Sequence, residues 1–555
     1  MNLRKNLHAM CLLPMSVISS LVLAQTPPNA GSLLRQIVPP TTQQTPSAPG
    51  VVVPVQLAPA QPPDQGVAFS VRQIQITGST IFSESELLLL VSDMLNAERS
   101  LVQLQEAAAR ITARYRAAGY LLARAYLPQQ KIENGLVSIV VLEGKLADIK
   151  IENVSHLSAA RAQSILAEID LSKPANQSQI NRAVLLLGDT PGVGAVDTRL
   201  SPGTKVGETV LTTRLNPVPY ASGRLELDNY GGLYTGRYRV GASVDVSSPF
   251  GFVERFSARL MGSDSDLLYG RLAAQVPVGS SGLTVGTALG RSTYALGDTF
   301  ATLDAVGRST TSELFARYPL VRSVPLNVYG QVNAEHRSLR DEVRSTSTQT
   351  DKKSSVGSVA LQADWRDRAG GLGANSQASA TLTGGKLRIN SVAAAAIDAA
   401  GANTVGSFSK VGYSLSRQQE LANKLSLSAQ VRGQWANKNL DSSEKFSLGG
   451  ASGVRAYPSG EASGDSGWMG SLELRYALMQ HMAVSVFYDA GSINVNANPY
   501  LKTENKRSLA GSGLGLTGAY DAWDWRLAVA WRNAEVSVSE PDKSPRVWLQ
   551  VGWRF

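Results

Sequence analysis

The chain has 555 residues, a formal net charge of +9, 17% charged and 6% aromatic residues, and 50 glycines. So little charge beside so much glycine departs from the usual soluble enzyme and suits an all-β protein with many turns. The basic residues are scattered rather than gathered into a stripe, which argues against a nucleic-acid partner, and the single cysteine, Cys11, lies so close to the N-terminus that the rest of the chain has no thiol or disulfide.

Residues 1–24 read as a secretory signal peptide: Arg4 and Lys5, then the apolar run from Leu12 to Leu23, then the small-residue site Val22-Leu23-Ala24. No later stretch offers the roughly 18 apolar residues of a transmembrane helix. Residues 25–38 are predicted to hold a short helix over Asn29–Ile37, carrying Leu33, Leu34 and Ile37. Residues 39–66 contain eight prolines in 28 positions and read as an extended linker.

Two small α+β units follow, at 67–145 and 146–217. The first opens on a strand, Val71–Ile76. Leu101, Leu104, Ala108, Ile111 and Tyr115 then recur at helical spacing up to Gly119. Strands at Tyr120–Leu127 and Leu136–Leu142 complete a β-α-α-β-β order. The second unit repeats it, with Ile149 and Ile151 in its first strand, helices near 158–169 and 178–187, and strands near 195–200 and 208–215.

From 218 to 555 the pattern becomes sixteen segments alternating apolar and polar residues. In the last, Val547, Leu549, Val551, Trp553 and Phe555 oppose Gln550, Gly552 and Arg554. Aromatic residues at strand ends, charge on the opposite face, and connections alternating short and long point to an outer-membrane β-barrel with a wet lumen. The long connections are expected near 293–307, 338–354, 385–405, 436–467 and 493–509. An even strand number leaves both barrel ends on the side of the N-terminal units.

The loop at 436–467 is glycine-rich, yet at its centre stands Val454-Arg455-Ala456-Tyr457. On the next strands Val484, Val486, Tyr488 and Ala490 form a lipid-facing set, so Phe487, Asp489 and Gly491 face the lumen. A loop folded back into the barrel would let Arg455 pair with Asp489 bidentately. As a hydrated pair it would be worth about 0–1 kcal/mol.

The whole chain resembles the two-partner secretion (TpsB) transporters within the superfamily of POTRA-bearing outer-membrane barrels. The α+β units resemble POTRA domains. Val454-Arg455-Ala456-Tyr457 resembles the family's V-R-G-Y loop motif, with Ala456 replacing a glycine. Phe487-Tyr488-Asp489-Ala490-Gly491 matches its F-x-D-x-G strand motif. The resemblance implies a sixteen-strand transmembrane β-barrel preceded by two POTRA domains and a plug helix at Leu33, Leu34 and Ile37. It further implies a lumen-folded loop in which Arg455 meets Asp489, and an aromatic assembly signal at Trp553 and Phe555.

The function this implies is secretion of one large TpsA-type partner exoprotein, recognised unfolded in the periplasm by the POTRA domains and carried through the barrel without ATP. Other expected partners are the barrel-assembly machinery and outer-membrane lipid. The alternative is an assembly or insertion factor of the same superfamily. The sequence offers no catalytic constellation, metal site or cofactor motif: three histidines follow the export signal, with no HExxH, GxSxG or P-loop.

Overall fold

A computed structural model of the chain describes residues 27–37 and 68–555. The expected export signal and proline-rich linker lie outside the described residues. The first element is α1 (Ala30–Ile37). Asn29 caps it, its Oδ1 accepting from the Ser32 N–H at 3.0 Å.

The first α+β unit contains β1 (Ala68–Val71), β2 (Gln73–Thr77), α2 (Glu84–Leu89), β3 (Ala97–Ser100), α3 (Leu101–Ala117), β4 (Arg124–Tyr126) and β5 (Leu136–Leu142). Ser100 and Gln103 form a reciprocal capping box that starts α3. Leu104, Ala108, Ile111 and Tyr115 make its buried stripe, and Gly119 ends it at φ +89°. Two expectations need correction. The opening strand is broken at Arg72, because the Arg72 and Gln73 N–H groups both turn to the Gly135 carbonyl. β1 therefore pairs with β3, while β2 joins the main sheet. The strand expected at Tyr120–Leu127 shrinks to β4: Tyr120 N–H bonds Tyr115 C=O and Ala123 N–H bonds Tyr120 C=O, so the chain turns first.

The second unit contains β6 (Lys145–Asn153), α4 (Ala159–Leu166), α5 (Gln177–Gly188), β7 (Val193–Pro202) and β8 (Glu208–Pro217). Its sheet runs β6-β8-β7 with β6 parallel and β7 antiparallel to β8. The first unit runs β2-β5-β4 with the same senses. The repeat seen in the sequence is thus a repeat of topology, each copy with its own apolar core.

Sixteen antiparallel strands then close into a barrel. They begin with β9 (Ala221–Asp228), β10 (Arg239–Ser247), β11 (Arg255–Ser263), β12 (Leu268–Val278) and β13 (Leu283–Ala295). The longest follow: β14 (Ala305–Arg322), β15 (Leu326–Val343), β16 (Thr348–Asp367), β17 (Gly373–Ile389) and, after α6 (Val392–Ala400), β18 (Gly406–Ala422). β19 (Leu425–Ala436) leads into a loop holding the two-residue strands β20 (Phe446–Ser447) and β21 (Ser463–Gly464). The wall resumes with β22 (Ser466–Met479), β23 (Met482–Asn494), β24 (Lys506–Tyr520), β25 (Trp523–Arg532) and β26 (Arg546–Arg554).

Leu227, Val240, Leu260, Leu272, Leu289 and Leu314 are exposed on the outside, the apolar band a bilayer would cover. Inward positions carry ion pairs within the wall, such as Arg239–Asp228 at 2.8 Å and Arg271–Glu313 at 3.0 Å. The connection expected at 338–354 spans only 344–347, because β15 and β16 stay paired out to Val343↔Thr348. The outward positions of that ladder, Ser338, Arg340 and Glu342, are polar, so it lacks the alternation that marks the lipid-covered part. A long connection at 533–545, between β25 and β26, was not legible in the pattern.

The second α+β unit is fastened to one end of the barrel. Arg322, at the end of β14, donates through Nε and Nη2 to Asp189 at 2.7 Å each. Arg182 of α5 donates to the Pro319 and Ser281 carbonyls. Val253, in a barrel turn, completes the unit's apolar core.

Candidate functional site: the lumen loop and the helix beside it

Residues 437–465 leave β19 at the far end of the barrel and fold back inside it. Val454 and Tyr457 are fully buried. The Val454 N–H bonds Leu448 C=O at 2.7 Å and Tyr457 N–H bonds Val454 C=O at 3.1 Å, so the motif is a tight turn rather than a floppy arch. Ala456 is absent from the residues with positive φ, and alanine fits where the motif allows glycine.

The turn aims Arg455 at β23. Its Nε and Nη2 donate to Asp489 Oδ2 and Oδ1 at 2.8 and 2.9 Å, and its backbone N–H also reaches Oδ2 at 3.1 Å. Nη1 donates to Glu473 of β22 at 2.8 Å, and Ser471 Oγ donates to Asp489 at 2.7 Å. The guanidinium lies 3.3 Å from the ring centroid of Phe487, a cation–π contact strengthened by desolvation. Asp489 has no exposed surface. The hydrated pair expected from the sequence is therefore a buried one, and removing one partner of such a pair costs on the order of 3–5 kcal/mol.

The small residues of the strand motif have a steric cause. A Cβ on Gly491 would lie 2.7 Å from both Leu448 Cδ2 and the Trp468 carbonyl oxygen. On β24, a Cβ on Gly511 would lie 2.4 Å from Ala456 Cβ, and one on Gly513 would lie 2.3 Å from the Phe487 ring. The glycines form the floor on which the loop rests.

Sequence reasoning missed most of the loop's other anchors. Its four acidic residues Asp441, Glu444, Glu461 and Asp465 are all buried. Lys352 of β16 reaches Asp441 at 2.6 Å, and Lys410 of β18 reaches Glu444 at 2.7 Å. Arg337 of β15 also pairs with Glu444, and Arg507 of β24 with Glu461. The available signal was acidic residues in a loop facing a wall with inward lysine and arginine.

The loop also bridges the closing seam of the barrel. β9 and β26 pair over five positions, Arg224↔Arg554 to Asp228↔Gln550, whereas β15 and β16 pair from Leu326↔Trp365 to Val343↔Thr348. Trp548 of β26 donates its Nε1–H to the Arg455 carbonyl at 2.6 Å. Ser459 Oγ donates to the carbonyl of Tyr230, just beyond β9, at 2.8 Å. The Tyr230 and Trp548 rings meet edge to face at 5.7 Å.

Helix α1 lies between the loop and the opposite wall. Ala30, Leu33 and Ile37 pack with Met261, Tyr269, Tyr294 and Leu339 of the wall, and Leu34 is buried as well. The Ala30 N–H donates to Asp341 Oδ1 of β15 at 2.8 Å. On the loop side, Ser442 Oγ donates to Asn29 Oδ1 at 2.7 Å, and a Cβ on Gly31 would lie 2.5 Å from Ser442 Oγ. Trp553 and Phe555 stand apart at the seam's other end, with Phe555 exposed and its ring stacked on Trp553 at 5.2 Å.

Residues 207–518 match the family described as haemolysin secretion/activation protein ShlB/FhaC/HecB. Residues 69–144 match the ShlB-type POTRA domain. The chain is 28% identical over 553 residues to the heme/hemopexin transporter protein HuxB of Haemophilus influenzae, covering 96% of each. It is 26% identical over 431 residues to the outer membrane transporter CdiB of Escherichia coli O6:K15:H31, covering 75% of this chain and 70% of that protein. The solved structure of CdiB from Escherichia coli superposes with a TM-score of 0.71 at 20% identity, covering 90% of this chain and 93% of that one.

Proposed function

We propose the working cycle of a chain that belongs to the haemolysin secretion/activation family ShlB/FhaC/HecB. It is an outer-membrane transporter of the two-partner secretion type, with its POTRA domains in the periplasm. It moves a protein rather than transforming a small molecule.

The partner arrives unfolded and binds POTRA sheet edges, adding a strand to one of them. β4, at the edge of the first sheet, is a candidate. The chain then passes through the barrel after α1 and the loop at 437–465 have made room. No nucleotide drives the step; folding of the partner outside prevents its return. Trp553 and Phe555 are the residues the barrel-assembly machinery would read during biogenesis, and Leu33, Leu34 and Ile37 hold the plug at rest.

The observation that carries this reading is the content of the lumen. It is filled by two elements that belong to no wall strand, a helix ahead of the linker and a loop held by side-chain contacts. Both can leave without unmaking the barrel's hydrogen-bonded ladder. The test is secretion of the partner encoded beside this chain, for wild type, Arg455→Ala, Asp489→Ala and the Arg455→Asp/Asp489→Arg swap at matched membrane levels. Loss in the single variants supports a transport role for the loop, and undiminished secretion in all of them sinks it.

A further inference from the structure

A cavity of about 500 Å³ opens in the periplasmic end of the barrel, beneath the C-terminus of α5. Its wall is a row of inward positions on β11 to β17. Cross-strand register sets Arg255 beside Gln275 and Thr284 beside Arg317. Further along it sets Tyr329 beside Gln362 and Asp364 beside Gln377.

The acidic groups here are already engaged. Asp189 takes both arms of Arg322, and Asp364 accepts from Asn327, itself bonded to Arg322. Arg255 and Arg317 are different. Each has a buried Nε with no hydrogen-bond partner among the described residues. The Arg317 guanidinium lies over the Tyr329 ring, 3.9 Å from its centroid. Several other lumen-wall arginines have carboxylates: Arg224 pairs with Asp524, Arg239 with Asp228, Arg271 with Glu313 and Arg417 with Asp367. A wall that pairs its guanidinium groups in so many places leaves two of them facing one cavity, with three glutamine amides around them.

We propose that this cavity is a carboxylate-binding site for acidic side chains of the polypeptide entering the barrel. The chemistry is specific. A guanidinium fork matches a carboxylate, and the Tyr329 ring limits the positions that the Arg317 side chain can take. Glutamine amides can bond an extended backbone through donor and acceptor alike. The position is the first lumen surface met by a chain leaving the second POTRA domain. This inference rests on the transport reading above and adds a preference for acidic sequence at the mouth.

The test uses the full-length protein in detergent and a fluorescein-labelled peptide of alternating serine and aspartate. Serine–lysine and serine–asparagine peptides are the controls. The aspartate peptide binds wild type best, and each of Arg255→Gln and Arg317→Gln weakens it about tenfold, the loss of one charge-assisted hydrogen bond. Heat-modifiable migration reports whether the variants still form barrels. Should the Arg255→Gln/Arg317→Gln double variant fail to assemble, Gln275→Leu/Gln362→Leu keeps both charges and is expected to weaken binding in the same direction. Equal binding of the aspartate and lysine peptides, or of wild type and double variant, overturns the proposal. Partner secretion by wild type is measured in parallel. A wild type that secretes while its variants bind unchanged removes only the cavity site; a wild type that does not secrete removes the transport reading itself.

Discussion

Asp489 accepts three hydrogen bonds from a single residue, Arg455: one from the backbone N–H and two from the guanidinium. The carboxylate thus reads both the side chain and the local backbone path of the loop. Arg455→Lys keeps the charge but cannot reproduce the two-pronged contact. The expected outcome is secretion well below wild type for Arg455→Lys and lower still for Arg455→Ala, at equal amounts of assembled barrel. Limited proteolysis should detect a loosened loop in both, and a Lys variant indistinguishable from wild type would show that charge alone suffices.

Gly31 sets the distance between helix and loop. A leucine there has no room against Ser442 and Ser443. Gly31→Leu should expel α1 while leaving every wall strand intact. Planar-bilayer recordings should then show larger and longer openings than wild type, and cells should become more sensitive to bulky antibiotics. Unchanged conductance would mean that α1 does not block the passage.

The first POTRA domain carries an acid-sensitive joint. Burial alone would raise the pKa of Glu143, but bonds from Thr80 (side chain and N–H), Tyr115 and the Ile81 N–H outweigh it and hold it below the ordinary value. The Tyr115 hydroxyl is pushed up to about 12, chiefly by burial. A carboxylate with a lowered folded pKa stabilises the fold above its unfolded value of 4.5, and that contribution is lost as pH falls through the folded pKa. A soluble fragment of residues 67–217 should lose thermal stability as pH drops below that range. Glu143→Gln should flatten this acid limb and cost about 1–3 kcal/mol at neutral pH. An unaltered acid limb in the variant would assign the effect to other groups.

The Arg322–Asp189 pair fixes the second α+β unit against the barrel. Arg322 is 5% exposed, so Arg322→Ala leaves Asp189 and Asn327 short of a donor while β14 keeps its ladder. Spin labels on α4 and on the β14–β15 turn should report a broader distance distribution in this variant. A distribution as narrow as wild type would mean that Arg182 and Val253 hold the domain by themselves.

The barrel was legible because lipid outside and water inside impose a period of two on every strand, and the sixteen segments followed from it. Where that contrast fails, so did the reading. Arg340↔Asp351 and Asp341↔Thr350 pair beyond the apolar band, where the outer face is polar and Asp341 turns inward to the N-terminus of α1, and their sequence looks like loop. The split at Arg72 depends on a carbonyl 63 residues later in the chain, Gly135, which no local pattern announces. Phe487, Asp489 and Gly491 could be placed on the lumen face by alternation, and Arg455 stood out against its glycine-rich surroundings. The anchors Asp441, Glu444, Glu461 and Asp465 did not, since an acidic residue in a loop reads as solvated until its basic partner across the lumen is known.

The wall of this barrel has one poor joint, the short ladder between its first and last strands, and the clasp on that joint is borrowed. Trp548 on one side and Tyr230 on the other both hold the turn that carries Arg455. Drawing the turn out of the passage would break both contacts and leave the seam with its five-pair ladder alone.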